Sequence, residues 1–251
     1  WSLLYQYARL VEESRPHIVF MENVPPIMDE QVFIDFVGCL KRQGYYLKYS
    51  LVNFSDYGVS QRRRRLILLA SKQKTINLIQ PTHVDNNKTV RDVIGNLPVV
   101  NAGEECATDR LHIAPKLSLL NLRRIQVSRP NGTWRDWPEE LLLKCHKKDT
   151  GKSYCSVYGR MAWEDIGPTI TTQFTYYGTG RFGHPTQDRA LTLREGALLQ
   201  SFPRDYSFVR GKEPICIKKI ARHIGNAVPP RLGEIVGQSI MQSLKSGELD
   251  E

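Results

Sequence analysis

An α/β fold is what this sequence predicts, and three observations predict it. Helical and strand periodicities alternate over roughly the first 70 residues. A long middle region then shows no clear periodicity. The chain closes with a capping-box signature and a proline-led amphipathic stripe, both marks of helices.

The elements follow in order. Leu3, Leu4, Tyr7, Leu10 and Val11 repeat at helical spacing. After Pro16 the apolar run Ile18-Val19-Phe20-Met21 reads as a buried strand. Val32, Phe33, Phe36, Val37 and Leu40 form a second helical stripe that ends near Gly44. Tyr45, Leu47, Tyr49 and Leu51 alternate as a strand does. A polar loop, residues 53–61, leads to a further strand at 66–70. The two ends of this helix–strand–helix–strand–loop–strand pattern are expected to belong to a larger sheet. Residues 72–189 mix polar residues, Gly, Pro and aromatics over a span too long for one loop, so a small irregular domain with short strands is expected. Thr192-Leu193-Arg194-Glu195 starts a helix that must stop before Pro203. Leu232, Ile235, Val236, Ile240 and Leu244 mark the last helix, with Pro229 and Pro230 at or near its first turn.

Composition narrows the function classes. The apolar fraction of 41% and charged fraction of 24% are those of an ordinary globular protein. No apolar run approaches the roughly 18 residues of a membrane span, and no secretory signal is visible, so a cytoplasmic protein without a membrane partner is expected. A net charge of +9 and a pI near 9.3 favour a polyanionic partner, nucleic acid before an anionic membrane surface. The five cysteines are odd in number and form no CxxC pair, so reduced thiols are expected rather than a disulfide framework or zinc ribbon. Cys145-His146 has no second ligand pair at usual spacing, and no metal is expected. The chain starts at Trp1 rather than Met, which is the expectation for a fragment.

Three segments carry chemistry. In Met21-Glu22-Asn23-Val24-Pro25-Pro26 a carboxylate lies just past a buried strand, where open α/β sheets place ligands. Gln61-Arg62-Arg63-Arg64-Arg65 leads into a strand. Alternation puts Gln61, Arg63 and Arg65 on one side and Arg62 and Arg64 on the other. Aligned donors of this kind suit a phosphate or a base carbonyl. Ile224-Gly225-Asn226-Ala227-Val228-Pro229-Pro230 is read as a turn at a helix N-terminus, offering free backbone N–H groups and an amide side chain. Taken singly, each segment is equally what an ordinary turn, a solvated basic stretch or a plain N-cap would supply.

Together and in this order the segments resemble the blocks of the bacterial C5-cytosine DNA methyltransferases. Glu22-Asn23-Val24 is similar to that family's ENV block, Gln61, Arg63 and Arg65 to its QxRxR block, and Gly225-Asn226-Ala227-Val228-Pro229 to its GNxVP block. Residues 178–203 resemble the block that closes its target-recognition region. The resemblance implies a partial Rossmann-like methyltransferase sheet plus a small irregular, mostly β target-recognition domain. It implies catalytic-domain residues 1–80, a DNA-binding domain 81–188, and a hinge and final helix 189–251 returning to the catalytic domain. It implies methyl transfer from S-adenosyl-L-methionine to C5 of a cytosine flipped out of a specific duplex sequence, as part of a restriction-modification type system within a bacterial cytoplasm. Glu22 would serve N3 and the exocyclic amine of the base, and Asn23 the cysteine loop. Arg63 and Arg65 would serve the base O2 and the pocket's charge, and Asn226 with Ala227 the cofactor. Thr171 would lie near the flipped nucleotide's backbone.

Further residues are expected to meet double-stranded DNA: the amide of Gln61 and the basic Arg123, Arg124, Arg135 and Arg181 join Thr171 in that set, since Arg reads guanine and Lys or Arg holds phosphate. Gly178-Thr179-Gly180-Arg181-Phe182-Gly183 spells GxGxxG but lacks the strand and helix a dinucleotide fingerprint needs, so a glycine turn is expected. The family's Pro-Cys nucleophile and Phe-x-Gly-x-Gly cofactor loop do not occur in the sequence. The expectation is therefore a fragment, or one subunit of a split enzyme whose partner chain or missing N-terminal half carries the cysteine. The alternative is a non-catalytic, sequence-specific DNA-binding remnant.

Overall fold

The computed structural model describes residues 2–211 and 213–245 of the 251. In chain order the elements are α1 (Leu3–Ser14), β1 (Ile18–Asn23), α2 (Gln31–Arg42), β2 (Tyr46–Asn53), β3 (Arg64–Ser71), α3 (Val90–Ile94), β4 (Glu105–Cys106), β5 (Asp109–Ile113), α4 (Leu119–Val127), α5 (Leu193–Leu199), α6 (Ile217–Asn226) and α7 (Pro230–Lys245). The chain divides into two compact units. One holds residues 2–58, 63–85 and 231–245; the other holds 59–62, 86–211 and 213–230.

In the first unit β3 is the central strand of a three-stranded antiparallel sheet, order β1-β3-β2. Leu66, Ile67, Leu68, Leu69 and Ala70 are all buried, which is why the sequence shows a run rather than an alternation there. α2 buries Val32, Phe33, Phe36 and Leu40, the i, i+1, i+4, i+8 face of a helix. Each such side chain contributes about 1.5–3 kcal/mol by leaving water. α1 buries only Leu4 and Val11, two turns apart, while Leu3 and Leu10 of the same stripe stay exposed. β2 is an edge strand: its apolar alternation is real in sequence, but Tyr46, Tyr49 and Leu51 remain exposed and only Val52 is buried. The register sets Glu22 opposite Ile67 and Asn23 opposite Leu66, so the candidate carboxylate is one step from the sheet's end. α7 is tied to this unit through Ser239, whose hydroxyl accepts from the Ile79 N–H at 3.0 Å.

The second unit has little regular structure, as the sequence predicts. Among the described residues its β structure is the β4–β5 hairpin and two isolated bridges, Arg160 with Gly183 and Gly183 with Ala190. Side-chain-to-backbone bonds replace ladders. Buried Arg160 donates to the carbonyls of Ile125 (2.8 Å), Ser128 (3.2 Å) and His184 (2.9 Å), and pairs with Asp188. One core gathers Val90, Ile94, Leu111, Ile170 and Phe174 with Leu193, Leu199, Ile220 and Ile224. A second is aromatic, with Trp134, Trp137 and Tyr177 around Ile125. The described residues of 189–230 fall in the same compact unit as the irregular region, and the last boundary between the units lies after Pro230.

The helix start at Thr192 is as expected. Thr192 Oγ1 accepts from the Glu195 N–H at 3.1 Å, and Glu195 accepts in return from the Thr192 N–H at 2.8 Å. One expectation is overturned. Gly225 and Asn226 do not form a turn with free N–H groups; they are the last residues of α6, and the Ala227 N–H is spent on the His223 and Ile224 carbonyls. The helical spacing of Ile217, Ile220, Ala221 and Ile224 announces α6, a signal overlooked in the sequence reading.

Candidate active site

Within the first unit, three residues of two sequence blocks converge. Glu22 is near the end of β1, and Arg65 and Arg63 lie at and just before the start of β3. Arg65 Nε stands 3.1 Å from Glu22 Oε1, and an Arg63 guanidinium nitrogen stands 3.9 Å from the same oxygen. Their side chains are 14%, 16% and 7% exposed for Glu22, Arg65 and Arg63. The trio carries two positive charges against one negative. Burial, then the neighbouring Arg65 charge, pulls the Arg63 pKa down to about 10, with Glu22 opposing. Glu22 Oε1 is buried and has no aligned hydrogen-bond donor, and Arg63 Nε is buried with no acceptor. Buried polar atoms are ordinarily satisfied by hydrogen bonds, so an oxygen met only by the charges of Arg65 and Arg63, beside an Arg63 Nε without an acceptor, is what a ligand with its own donors and acceptors would complete. Asn23 Oδ1 accepts from the Val24 N–H at 2.8 Å and fixes the turn into Pro25.

The alternation predicted for the arginine block is present in burial: Gln61 and Arg63 are buried and Arg65 is partly buried, whereas Arg62 and Arg64 are exposed. Gln61, however, has no free group to offer DNA. Within the second unit its amide nitrogen donates to Gln200 Oε1 at 2.8 Å and to the Leu199 carbonyl at 3.4 Å, and its oxygen accepts from the Ile170 N–H at 3.0 Å. Gln200 in turn donates to the Ile224 carbonyl at 2.6 Å. Two buried amides therefore tie the arginine block, the segment before Thr171, the end of α5 and the end of α6 into one joint. Gly225 belongs to the same joint, because a Cβ there would lie 2.3–2.4 Å from the Thr171–Thr172 backbone.

A cleft of about 320 Å³ in the second unit collects Arg62, Asn131, Asp165, Thr169, Thr171 and Arg181. Asp165 accepts from Asn131 at 2.6 Å and pairs with Arg62 at 3.4 Å. Arg181 donates to the Asn131 (2.6 Å), Gly132 (3.1 Å) and Arg160 (3.2 Å) carbonyls, and burial lowers its pKa. Two sequence-predicted residues, Thr171 and Arg181, are thus brought together. Arg62, Asn131 and Asp165 are additions; alternation already set Arg62 apart from Arg63, but nothing local to Asn131 or Asp165 singles them out.

The remaining candidates scatter. Arg124 is buried and structural: it donates to the Leu141 carbonyl at 2.9 Å and lies over the Trp137 and Tyr158 rings, so it is unavailable to DNA. Arg123 is exposed on α4 and has no polar partner among the described residues. Arg135 lies over Trp134 and reaches Cys155 Sγ at 3.3 Å. Asn226 is exposed, with a side-chain amide that makes no bond among the described residues. All five cysteines are free thiols, and no described group of three or more His, Cys, Asp or Glu side chains could hold a metal ion. No described helix is long and apolar enough to cross a membrane.

The arrangement is that of methyltransferase folds. Its backbone superposes on a structure provisionally assigned as a prophage-encoded DNA modification methyltransferase of E. coli, with TM-score 0.69 and 21% identity over 95% of this chain and 73% of the other. A triple-substituted DNMT2 of Spodoptera frugiperda gives TM-score 0.61 and 16% identity over 95% and 71%. The chain belongs to the C-5 cytosine-specific DNA methylase family, whose model matches residues 1–242. It is 50% identical over 249 residues to the Type II methylase M.HgiDII of Herpetosiphon aurantiacus, and 35% identical over 239 residues to the Type II methyltransferase M1.BsuMI of Bacillus subtilis. Those matches take in 98% and 94% of this chain but 70% and 53% of the relatives.

Proposed function

We propose that the chain is the base-holding and DNA-reading part of a Type II DNA (cytosine-5)-methyltransferase acting in restriction-modification on a specific duplex sequence. The observation that carries this is the Glu22–Arg63–Arg65 cluster with its open polar atoms. Cytosine presents a matching edge: N4–H₂ and a protonated N3 are donors for a carboxylate, and O2 is an acceptor for a guanidinium. C5 is a weak nucleophile until a thiolate adds to C6, and that addition builds negative charge that a group at N3 must meet. Glu22 holds the proton at N3, and Arg65 and Arg63 bind O2 and keep the pocket net positive. Asn23 orders the loop beside them. Thr171 in the second unit faces the sugar-phosphate backbone, Arg181 shapes the cleft beside it through the backbone carbonyls it holds, and Arg123 and Arg135 add phosphate contacts.

S-adenosylmethionine, when bound, supplies an electrophilic methyl group. With its backbone turned inward by α6, the Asn226–Ala227 pair offers the cofactor one free side-chain amide, a fit for a single polar contact rather than a whole site. Since no cysteine here follows a proline, the nucleophile comes from polypeptide outside these 251 residues, in the same chain or in a partner.

The test is Glu22→Gln in protein that has the Pro-Cys segment, followed by single-turnover methyl transfer and DNA affinity. An amide donates a hydrogen bond but transfers no proton. The expected result is a rate lower by about 10²–10⁴ with affinity largely kept. A near-normal rate would reduce Glu22 to a turn residue and remove the basis of the proposal.

A further inference from the structure

We propose that a second cleft of the second unit is a phosphodiester site, holding the DNA backbone through Lys116, Lys218 and Arg222. This rests on the DNA-directed reading above and extends it to residues outside every sequence block that carries the family resemblance. The cleft measures about 540 Å³ and also takes in Gln173, Thr175 and Tyr176.

Lys218 and Arg222 are four residues apart on α6 and so share a face. The opposite face buries Ile220, Ala221 and Ile224, which fixes the helix's rotation. Lys116 comes from the segment before α4. All three cations are exposed, and none forms a hydrogen bond or ion pair with a described residue. No carboxylate lines the cleft, in contrast to the first cleft, where Asp165 already answers Arg62. A second, independent observation lies in the wall: the Thr175 hydroxyl is buried without a partner. Three uncompensated cations about a concavity, with an amide and a hydroxyl at hand, match an anion that brings several acceptor oxygens. A phosphodiester backbone does so repeatedly and would be held here without reading sequence. The ring of Tyr176, 47% exposed, adds an apolar contact for the sugar. The site is a positioning device, setting how the neighbouring Thr171 lies on the duplex.

Each phosphate contact removed should flatten the dependence of log affinity on log salt by about 0.9. The experiment titrates the full chain with a fluorescently labelled mixed-sequence duplex between about 50 and 200 mM salt, a range over which one such contact is worth roughly 3.5-fold in affinity. The variants are Lys218→Gln/Arg222→Gln and, from a different element, Lys116→Gln. Lys219→Gln is the control: it removes the same charge from the same helix but lies outside the cleft. Thermal melting confirms that each variant is folded. The double variant is expected to lose about 1.8 from the slope and Lys116→Gln about 0.9, with Lys219→Gln close to the unchanged protein. Equal effects from all the variants, or none from any, would overturn the site while leaving DNA binding by the unchanged chain intact. If the unchanged chain bound no duplex, or bound it without regard to salt, the site and the DNA-directed reading would fall together.

Discussion

Replacing Gln61 with Leu tests whether a residue of the arginine block reads DNA or holds the protein together. The side chain is fully buried and spends both ends of its amide inside the second unit. Leucine is of similar bulk, so packing changes little while two buried groups lose a close partner and the Leu199 carbonyl loses its longer 3.4 Å contact. One is the Ile170 N–H, on a residue with no exposed surface; the other is Gln200 Oε1. An orphaned buried donor or acceptor costs about 1–3 kcal/mol, so the pair costs about 2–6 kcal/mol. Urea unfolding followed by tryptophan fluorescence would read this as a lower midpoint at an unchanged slope. DNA affinity, measured where the variant is still folded, should stay within a few-fold of the original. A variant that lost under about 1 kcal/mol in stability yet bound DNA more than tenfold more weakly would refute the reasoning and return Gln61 to the interface.

Two further outcomes follow from the same unit. His184 is buried, its Nδ1 accepts from the Gln187 N–H at 2.9 Å, and burial first of all pulls its pKa from 6.5 to about 4. The folded imidazole therefore stays neutral where the unfolded one takes a proton, so stability is lost as pH falls from about 6.5 toward 4. At 1.36 kcal/mol per pH unit the loss reaches about 3 kcal/mol, and His184→Gln should flatten the stability profile across that window. Below it Glu195 takes over: bonds from Arg189 hold its pKa near 2 against the opposing effect of burial, so its contribution fades only as pH drops from about 4.5 toward 2. Gly225→Ala should cost about 1–3 kcal/mol by overpacking. Its methyl meets backbone, not a yielding side chain, so Thr171 must move and DNA affinity should fall with stability; a full-strength binder of unchanged melting temperature would contradict the joint described here.

What the sequence discloses depends on how local the cause is. α2 is legible because its burial follows the helix's own period, and β1 and β3 because each is a short continuous apolar run. The capping box at Thr192 is legible because both partners lie within three residues. The Glu22–Arg63–Arg65 cluster is legible as a set of blocks, but its geometry is not, because a β1–β3 register brings residues some 40 positions apart together. Arg124 and Arg181 illustrate the limit. Both look like surface arginines in a polar stretch, yet one fills an aromatic core and the other threads three backbone carbonyls. In a region without ladders, guanidiniums take over the work of backbone donors, and composition alone does not tell such an arginine from one that waits for DNA.

Hydrogen-bond occupancy does tell them apart, and it re-sorts the blocks behind the family resemblance. Gln61, Glu195 and Gly225 are closed within the chain: their polar groups are matched, or a missing side chain makes room for neighbouring backbone. Substituting them should act through stability. Arg63 is buried and Glu22 partly so, and both are incompletely matched, although an unmatched buried polar atom costs about 1–3 kcal/mol. A fold whose total stability is about 5–15 kcal/mol does not carry that cost at two neighbouring residues without return, and under the proposed function the return would be a base edge with complementary donors and acceptors. The arginine block thus divides along its length, not by alternation, between a closed buried amide and an incompletely matched cluster. Gln61 joins the buried amides of the second unit, while Arg63 and Arg65, two and four positions on, face Glu22 in the first.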